Sequence, residues 1–268
     1  MGNQTPFGPN ELSKPPVTGA AFIALLHEEK KRKYSNPPPF LQAMYDSNLT
    51  QEDLIMWVKD LYPYWSEALV YSIGAIYIKT NDEPLRTQML RRMVDVEGKD
   101  VVQDLTGWNT PSYEELWLQL GELLGVDRSE VLQWNQFTRT YFSMRTLMTY
   151  SRYWDWSWLD GIATWYAADL YWIDQFTKIQ NALNNNYKIP NQLQLFINVL
   201  LEDAQSHIHW EEEGLRYWAC TTERQLSASR AFRERLDIEY QLLVALDEAR
   251  SSGSLPFQVP TANSYSLD

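Results

Sequence analysis

Apolar residues recur every three to four positions along almost all of residues 18–250, and no stretch alternates as a half-buried strand would. The pattern predicts an all-α chain. Its stops and starts place the helices. Thr18 is a candidate N-cap for a first helix to Tyr34, and NPPP (36–39) breaks it and opens a short helix through Tyr45. After Asn48 to Thr50 the period predicts a helix over 51–80 with a kink at Pro63, then another from Glu83 to about Leu105 after the turn TND. Ser112 followed by Glu115 reads as a capping box, and Gly125 as the stop of that helix. Helices are further predicted over 129–150, 158–183, 191–219 and 222–250. Residues 1–17 and 251–268 lack the period and read as tails, which leaves one helical domain over 18–250.

Composition narrows the function. A formal charge of -12 would repel a phosphate backbone or an anionic membrane, so neither nucleic acid nor membrane is an expected partner. No apolar run approaches the ~20 residues of a membrane span, and MGNQTPFGPNELSKPP has neither the basic start nor the apolar run of a signal peptide. The single cysteine, Cys220, excludes an intramolecular disulfide and fits a cytoplasmic protein.

The candidate chemistry sits on two helices. In LLEDAQSHIHWEEEGLRYWA (200–219), Ile197, Leu201, Ala204, Ile208, Leu215 and Ala219 form one stripe at 100° per residue. Glu211 falls within it and His207 at its margin, whereas His209, Glu202 and Glu213 face outward. The same projection sets Asp169 among Ile162, Trp165, Tyr166, Trp172, Ile173 and Phe176. A buried carboxylate needs a partner, a proton or a metal, so three readings stay open. Asp169, His207 and Glu211 form a hydrogen-bonded polar knot, ligate a first-row metal, or act as acid and base on an organic substrate. The aromatic run YSRYWDWSWLDGIATWYAADLYW (150–172) offers walls for a flat apolar pocket or simply core packing. Tyr64, Glu67, Trp165, Tyr166 and Trp172 are the candidate substrate contacts. Tyr113 joins the candidate catalytic set, and His27 reads as a surface residue.

Two stretches, PFLQAMYDSNLTQEDLIMWV (39–58) and YEELWLQLGELLGVDRSEVL (113–132), resemble pyrroloquinoline quinone synthases. These belong to the haem-oxygenase-like superfamily, with the thiaminase II proteins and the haem-oxygenase-like diiron oxidases. The resemblance implies a bundle of about seven helices around one cavity, usually as a homodimer. It implies oxidation of a small aromatic or apolar substrate by dioxygen, with no metal or with iron. Against the diiron ligand pattern, Val96 stands at a Glu position beside Glu97, Tyr113 at a His, Asp169 at a carboxylate, His207 and Glu211 at a His and an Asp, and Gly214 at the last His. The incomplete set favours a metal-free mode or a single reduced metal site. An alternative register would use Ser206, Trp210 and Glu213, which the stripe disfavours. Two rivals remain. One is a non-catalytic binding protein that kept the cavity; the other is a thiaminase-like hydrolase, which would need a positioned cysteine where only Cys220 is present.

Overall fold

The computed structural model describes residues 14–98, 111–152 and 157–253. Among the described residues all regular structure is helical. The helices are α1 (Gly19–Tyr34), α2 (Pro39–Tyr45), α3 (Gln51–Pro63), α4 (Leu69–Tyr77), α5 (Glu83–Glu97) and α6 (Tyr113–Leu123). They continue as α7 (Arg128–Leu132), α8 (Thr138–Arg152), α9 (Trp158–Asn185), α10 (Leu195–Trp218) and α11 (Thr222–Ser252). No helix among the described residues is long and apolar enough to cross a membrane.

Helix α9 is the axis of the bundle, packed along α10 and α11. Every residue from Leu159 to Asp169 is buried, which is why the apolar character of this segment runs around the helix and not along one stripe. Small residues let neighbours come close: a Cβ on Gly161 would lie 2.6 Å from the Ile76 side chain of α4. Ser157 and Asp160 form a reciprocal capping box at its start.

Local chemistry accounts for most boundaries. Thr18 caps α1 through Ala21 N–H, and Thr50 and Asp53 form a capping box on α3. Helix α6 ends in a Schellman motif: Gly125, at φ +83°, donates to Glu122 O at 3.0 Å and Val126 to Gly121 O at 3.0 Å.

Four expectations are corrected. The helix over 51–80 is not α-helical throughout: the chain stays helical from Gln51 to Tyr77, but where the kink was expected Pro63 has no N–H to donate and the ladder passes through a π-helical turn, Tyr64–Ala68, closed by Leu69 N–H on Tyr64 O. The helix from Glu83 stops at Glu97, with Gly98 at φ +91°, and the rest of the expected stretch to about Leu105 lies outside the described residues. Only half of the box at Ser112 forms: Ser112 Oγ accepts from Glu115 N–H, while the Glu115 carboxylate turns to Arg128 and Gln119. The helix over 129–150 is split into α7 and α8, because buried Asp60 of α3 accepts from Phe137 N–H at 2.7 Å and Trp134 Nε1 at 3.2 Å and holds the link open. Most of the expected tails lie outside the described residues, but Val17 exchanges hydrogen bonds of 3.0 and 2.8 Å with Gln225, tying the approach to α1 onto α11.

Candidate active site

One polar cluster lies within the bundle, and an arginine stands at its centre. Arg92, buried on α5, makes a bidentate ion pair with Asp169 of α9, Nη2 to Oδ1 at 2.6 Å and Nη1 to Oδ2 at 2.9 Å. The same Nη1 donates to Glu211 Oε1 of α10. Its guanidinium carbon also sits 3.9 Å from the centroid of the Trp165 ring. Burial works against the charge on Arg92, but Asp169 and Glu211 outweigh it and raise its pKa above that of free arginine. Burial, reinforced by the charge of Asp169, pushes Glu211 well above the usual carboxylate range. Arg92 thus holds its charge more firmly than free arginine, while Glu211 is biased towards its neutral form.

His207 adjoins this cluster on α10. Its Nε2 lies 3.0 Å from Asp95 Oδ2 of α5, and its Nδ1 lies 3.9 Å from Asp169 Oδ2, beyond hydrogen-bond reach. A carboxylate thus orients the ring while its second nitrogen stays beside the cluster.

A second buried network comes from α11. Arg235 donates through Nε to Glu239 Oε1 at 2.6 Å and through Nη2 to the Tyr64 hydroxyl at 2.8 Å. Tyr64 donates to Glu239 Oε1 at 2.6 Å, and Trp172 Nε1 to Glu239 Oε2 at 3.1 Å. Burial holds the Tyr64 phenol protonated, its pKa well above the usual value. The guanidinium of Arg235 lies 5.1 Å from the Trp165 centroid, so both buried arginines stand against the same indole.

Between the two networks is a cavity of about 30 Å³. Arg92, Asp169, His207 and Arg235 give it polar walls; Trp165, Trp172, Tyr64, Trp65, Tyr113 and Phe176 give it aromatic ones. The π-helical turn supplies Tyr64 and Trp65 side by side, and Trp65 packs edge-on against Phe196 at 4.8 Å. Three donors of residues lining the cavity, Arg235 Nη1, Trp65 Nε1 and Trp165 Nε1, have no hydrogen-bond partner among the described residues. Tyr113 lines the cavity with its ring and donates its hydroxyl to Asp203 at 2.9 Å.

The structure thus brings Asp169, His207 and Glu211 together, with Tyr64, Tyr113, Trp165 and Trp172 around them. It separates two other candidates. Glu67 is exposed on the outside of the π-helical turn. Tyr166 is buried but turns its hydroxyl from the cavity towards His27 Nε2, at 2.9 Å, and Glu212, at 3.3 Å. His27 itself is exposed. His209, Glu202 and Glu213 face solvent, as does Cys220, beyond α10 and away from the cavity. Val96 lines the cavity, Glu97 is exposed, and Gly214 faces Leu85 and Ile162.

A metal held by Asp169, His207 and Glu211 does not fit this arrangement. Both Asp169 oxygens and one Glu211 oxygen are taken by the guanidinium, and among the described residues no group of three or more His, Cys, Asp and Glu is disposed to hold a metal ion. Arg92, Asp95, Arg235 and Glu239 are the residues sequence reasoning missed. Arg92 falls on the stripe Leu85, Met89, Val96 of α5, and Arg235 and Glu239 among Phe232, Leu236, Leu242 and Leu243 of α11. The projection that turned Asp169 inward would have found all but Asp95.

Residues 26–246 match the TENA/THI-4/PQQC family. The chain belongs to that family. Its PQQC side is represented by the pyrroloquinoline-quinone synthase of Ectopseudomonas mendocina (strain ymp), 29% identical over 124 residues, which are 45% of this chain and 44% of that protein. The pyrroloquinoline-quinone synthase of Acinetobacter baumannii (strain AYE) is 27% identical over 104 residues, 39% of this chain and 38% of that one. The matched stretches thus span less than half the length of these curated relatives. Solved structures give the fold. A domain of unknown function with a heme oxygenase-like fold from Shewanella denitrificans OS217 superposes with a TM-score of 0.68 at 14% identity, covering 91% of this chain and 99% of that one. A TenA homolog from Pseudomonas syringae pv. tomato str. DC3000 gives 0.64 at 13% identity, covering 90% and 98%. This member of the family therefore has a heme oxygenase-like all-α fold.

Proposed function

We propose that the chain is an oxidoreductase of small-molecule biosynthesis, in which dioxygen oxidises an electron-rich aromatic substrate in this cavity without a resident metal. The observation that carries the reading is the His207–Asp95 pair at the wall of a donor-rich, aromatic cavity. Arg235 Nη1 and the indole N–H groups of Trp65 and Trp165 ask for acceptors, so the substrate bears carboxylate or carbonyl oxygens. His207 takes a proton from the bound substrate, and Asp95 steadies the imidazolium that results. Arg92 and Arg235 stabilise the negative charge that develops on the ring. Two electrons and two protons leave the substrate and dioxygen becomes hydrogen peroxide, so the sum is closed without another reductant. Low-identity likeness to pyrroloquinoline-quinone synthases supports this side of the family over the thiaminase side. A thiaminase-like hydrolase would need a cysteine in the cavity, and Cys220 lies outside it.

A second reading is favoured by one observation. At about 30 Å³ the cavity holds a water or a dioxygen molecule but not an aromatic substrate unless its walls part. A non-catalytic small-molecule-binding protein would also keep such a cavity. The test is dioxygen uptake and peroxide release by metal-depleted protein offered a panel of dihydroxyaromatic carboxylates. Turnover that His207→Ala abolishes and His209→Ala retains supports the oxidase. Saturable binding of the same compounds with no dioxygen uptake moves the binding protein to first place.

A further inference from the structure

We propose that Trp65 is a movable plug that decides which aromatic rings the cavity admits: its indole fills the place that a ligand's ring takes, and it swings out on the π-helical turn that carries it. This rests on the reading above that an aromatic acid binds here. At about 30 Å³ the cavity has no room for such a ring while its walls stand as they do. One wall is itself an aromatic ring of the needed size. The Trp65 indole lies among the other aromatic walls, its centroid 4.8 Å from that of Tyr64, 5.8 Å from Trp172, 6.0 Å from Phe176 and 6.4 Å from Tyr113. The space it vacates is therefore continuous with the cavity and walled by aromatic side chains, and it adjoins the Arg92, Arg235 and His207 that line the same cavity.

Trp65 is also the indole of this group that is held least. Trp117, beneath it, donates Nε1 to Val58 O at 2.9 Å, and Trp172 donates Nε1 to Glu239 Oε2 at 3.1 Å. Trp165 is clasped by the Arg92 guanidinium, 3.9 Å from its centroid. Trp65 Nε1 is buried with no hydrogen-bond partner among the described residues, an uncommon state for an indole. Its backbone stands in the Tyr64–Ala68 turn, directly after Pro63, which has no N–H to give to the ladder. The neighbouring Tyr64 is fixed through its hydroxyl by Arg235 and Glu239, so movement within the turn falls to Trp65. Exchange between i→i+5 and i→i+4 closure in the turn lets that side chain reorient without carrying α3 or α4 with it. Displaced, the indole brings its unmet N–H to an oxygen of the bound acid.

The probe is 2-naphthoate, an unreactive two-ring carboxylate, titrated by calorimetry into the full chain and the variants Trp65→Ala, Trp65→Phe and Trp117→Phe. The wild type admits the probe only with the plug displaced, so removing the plug removes that penalty. Trp65→Ala is expected to bind about ten- to hundredfold tighter than the wild type, with Trp65→Phe between them. Trp117→Phe makes the same deletion in the core beneath and leaves the plug in place, so it should gain nothing. In wild type labelled with fluorotryptophan, the fluorine resonance that Trp65→Phe lacks should move when the probe is added, and the one that Trp117→Phe lacks should not. Should Trp65→Ala fail to fold, Trp65→Phe against the wild type decides. The proposal is overturned if the folded Trp65 variants bind no tighter than the wild type, if Trp117→Phe gains as much, or if the Trp65 resonance stays in place. Binding of naphthoate is read without turnover, so the two readings fail separately: tighter binding to the Trp65 variants with no dioxygen uptake on any substrate keeps the plug and removes the oxidation.

Discussion

The two histidines of LLEDAQSHIHWEEEGLRYWA, two positions apart, have opposite fates. His207 is 5% exposed and bound to Asp95, whereas His209 pairs with Glu213 at 3.5 Å on the surface, with side chains 80% and 66% exposed. An exposed pair of this kind contributes little, so His209→Ala with Glu213→Ala is expected to change stability by no more than about 0.5 kcal/mol. His207→Ala or Glu211→Ala should shift it by about 1 to 3 kcal/mol, because each disturbs a buried polar network. Urea unfolding of the double variant and the two single ones checks the contrast, and equal effects would contradict it. Asp60 allows a second test at this scale. It is fully buried, and burial pushes its carboxyl up to about 6. The unfolded value is near 4, so its favourable contribution is present below about pH 4 and is lost as pH rises through 6. Asp60→Asn keeps the acceptor for Phe137 and Trp134 and removes that slope. Relative to wild type it should gain about 2 to 3 kcal/mol between pH 4 and pH 7.5; parallel stability curves for the two proteins would refute this.

At the scale of elements, most helix limits were legible because they are written in local chemistry. Thr18, Thr50 and Gly125 act within one or two turns of themselves. The break between α7 and α8 was not legible, since the group that makes it, Asp60, lies on another helix. Asp169 and Glu211 were legible from periodicity. Arg92 obeys the same period but is a residue type ordinarily assigned to the surface, and only the convergence of α5, α9 and α10 gives it buried partners. Glu67 and Tyr166 were misplaced for the complementary reason. The π-helical turn shifts the angular position of Glu67, and Tyr166 lies on a helix buried on every side, so facing inward does not mean facing the cavity. Close packing of α9 on α4 gives the prediction proper to this scale. Gly161→Ala should destabilise by about 1 to 3 kcal/mol through its clash with Ile76, and Ile76→Ala in the same chain should recover part of the loss. Additive losses in the double variant would show that the contact is not what limits position 161.

For the whole molecule, the charge of -12 and the helical pattern announced an acidic all-α protein, and the family match across residues 26–246 accords with the resemblance seen at 39–58 and 113–132. The abundance of aromatic residues divides between two tasks. Trp117 and Phe196 pack beneath Trp65 as core, while Trp165 and Trp172 face the cavity. A homodimer is the proposed assembly, so sedimentation at micromolar concentration is expected to give twice the 31.5 kDa chain mass, and a monomer mass would remove that proposal. The central claim is that the Arg92 guanidinium, sitting between Asp169 and Glu211, engages the carboxylates that a metal ion beside His207 would need. Anomalous diffraction at the iron edge, from crystals grown anaerobically with ferrous iron, measures this most directly. The account predicts continuous density from Arg92 to both carboxylates and no anomalous peak among the three residues; an iron peak there with Arg92 turned away would contradict it.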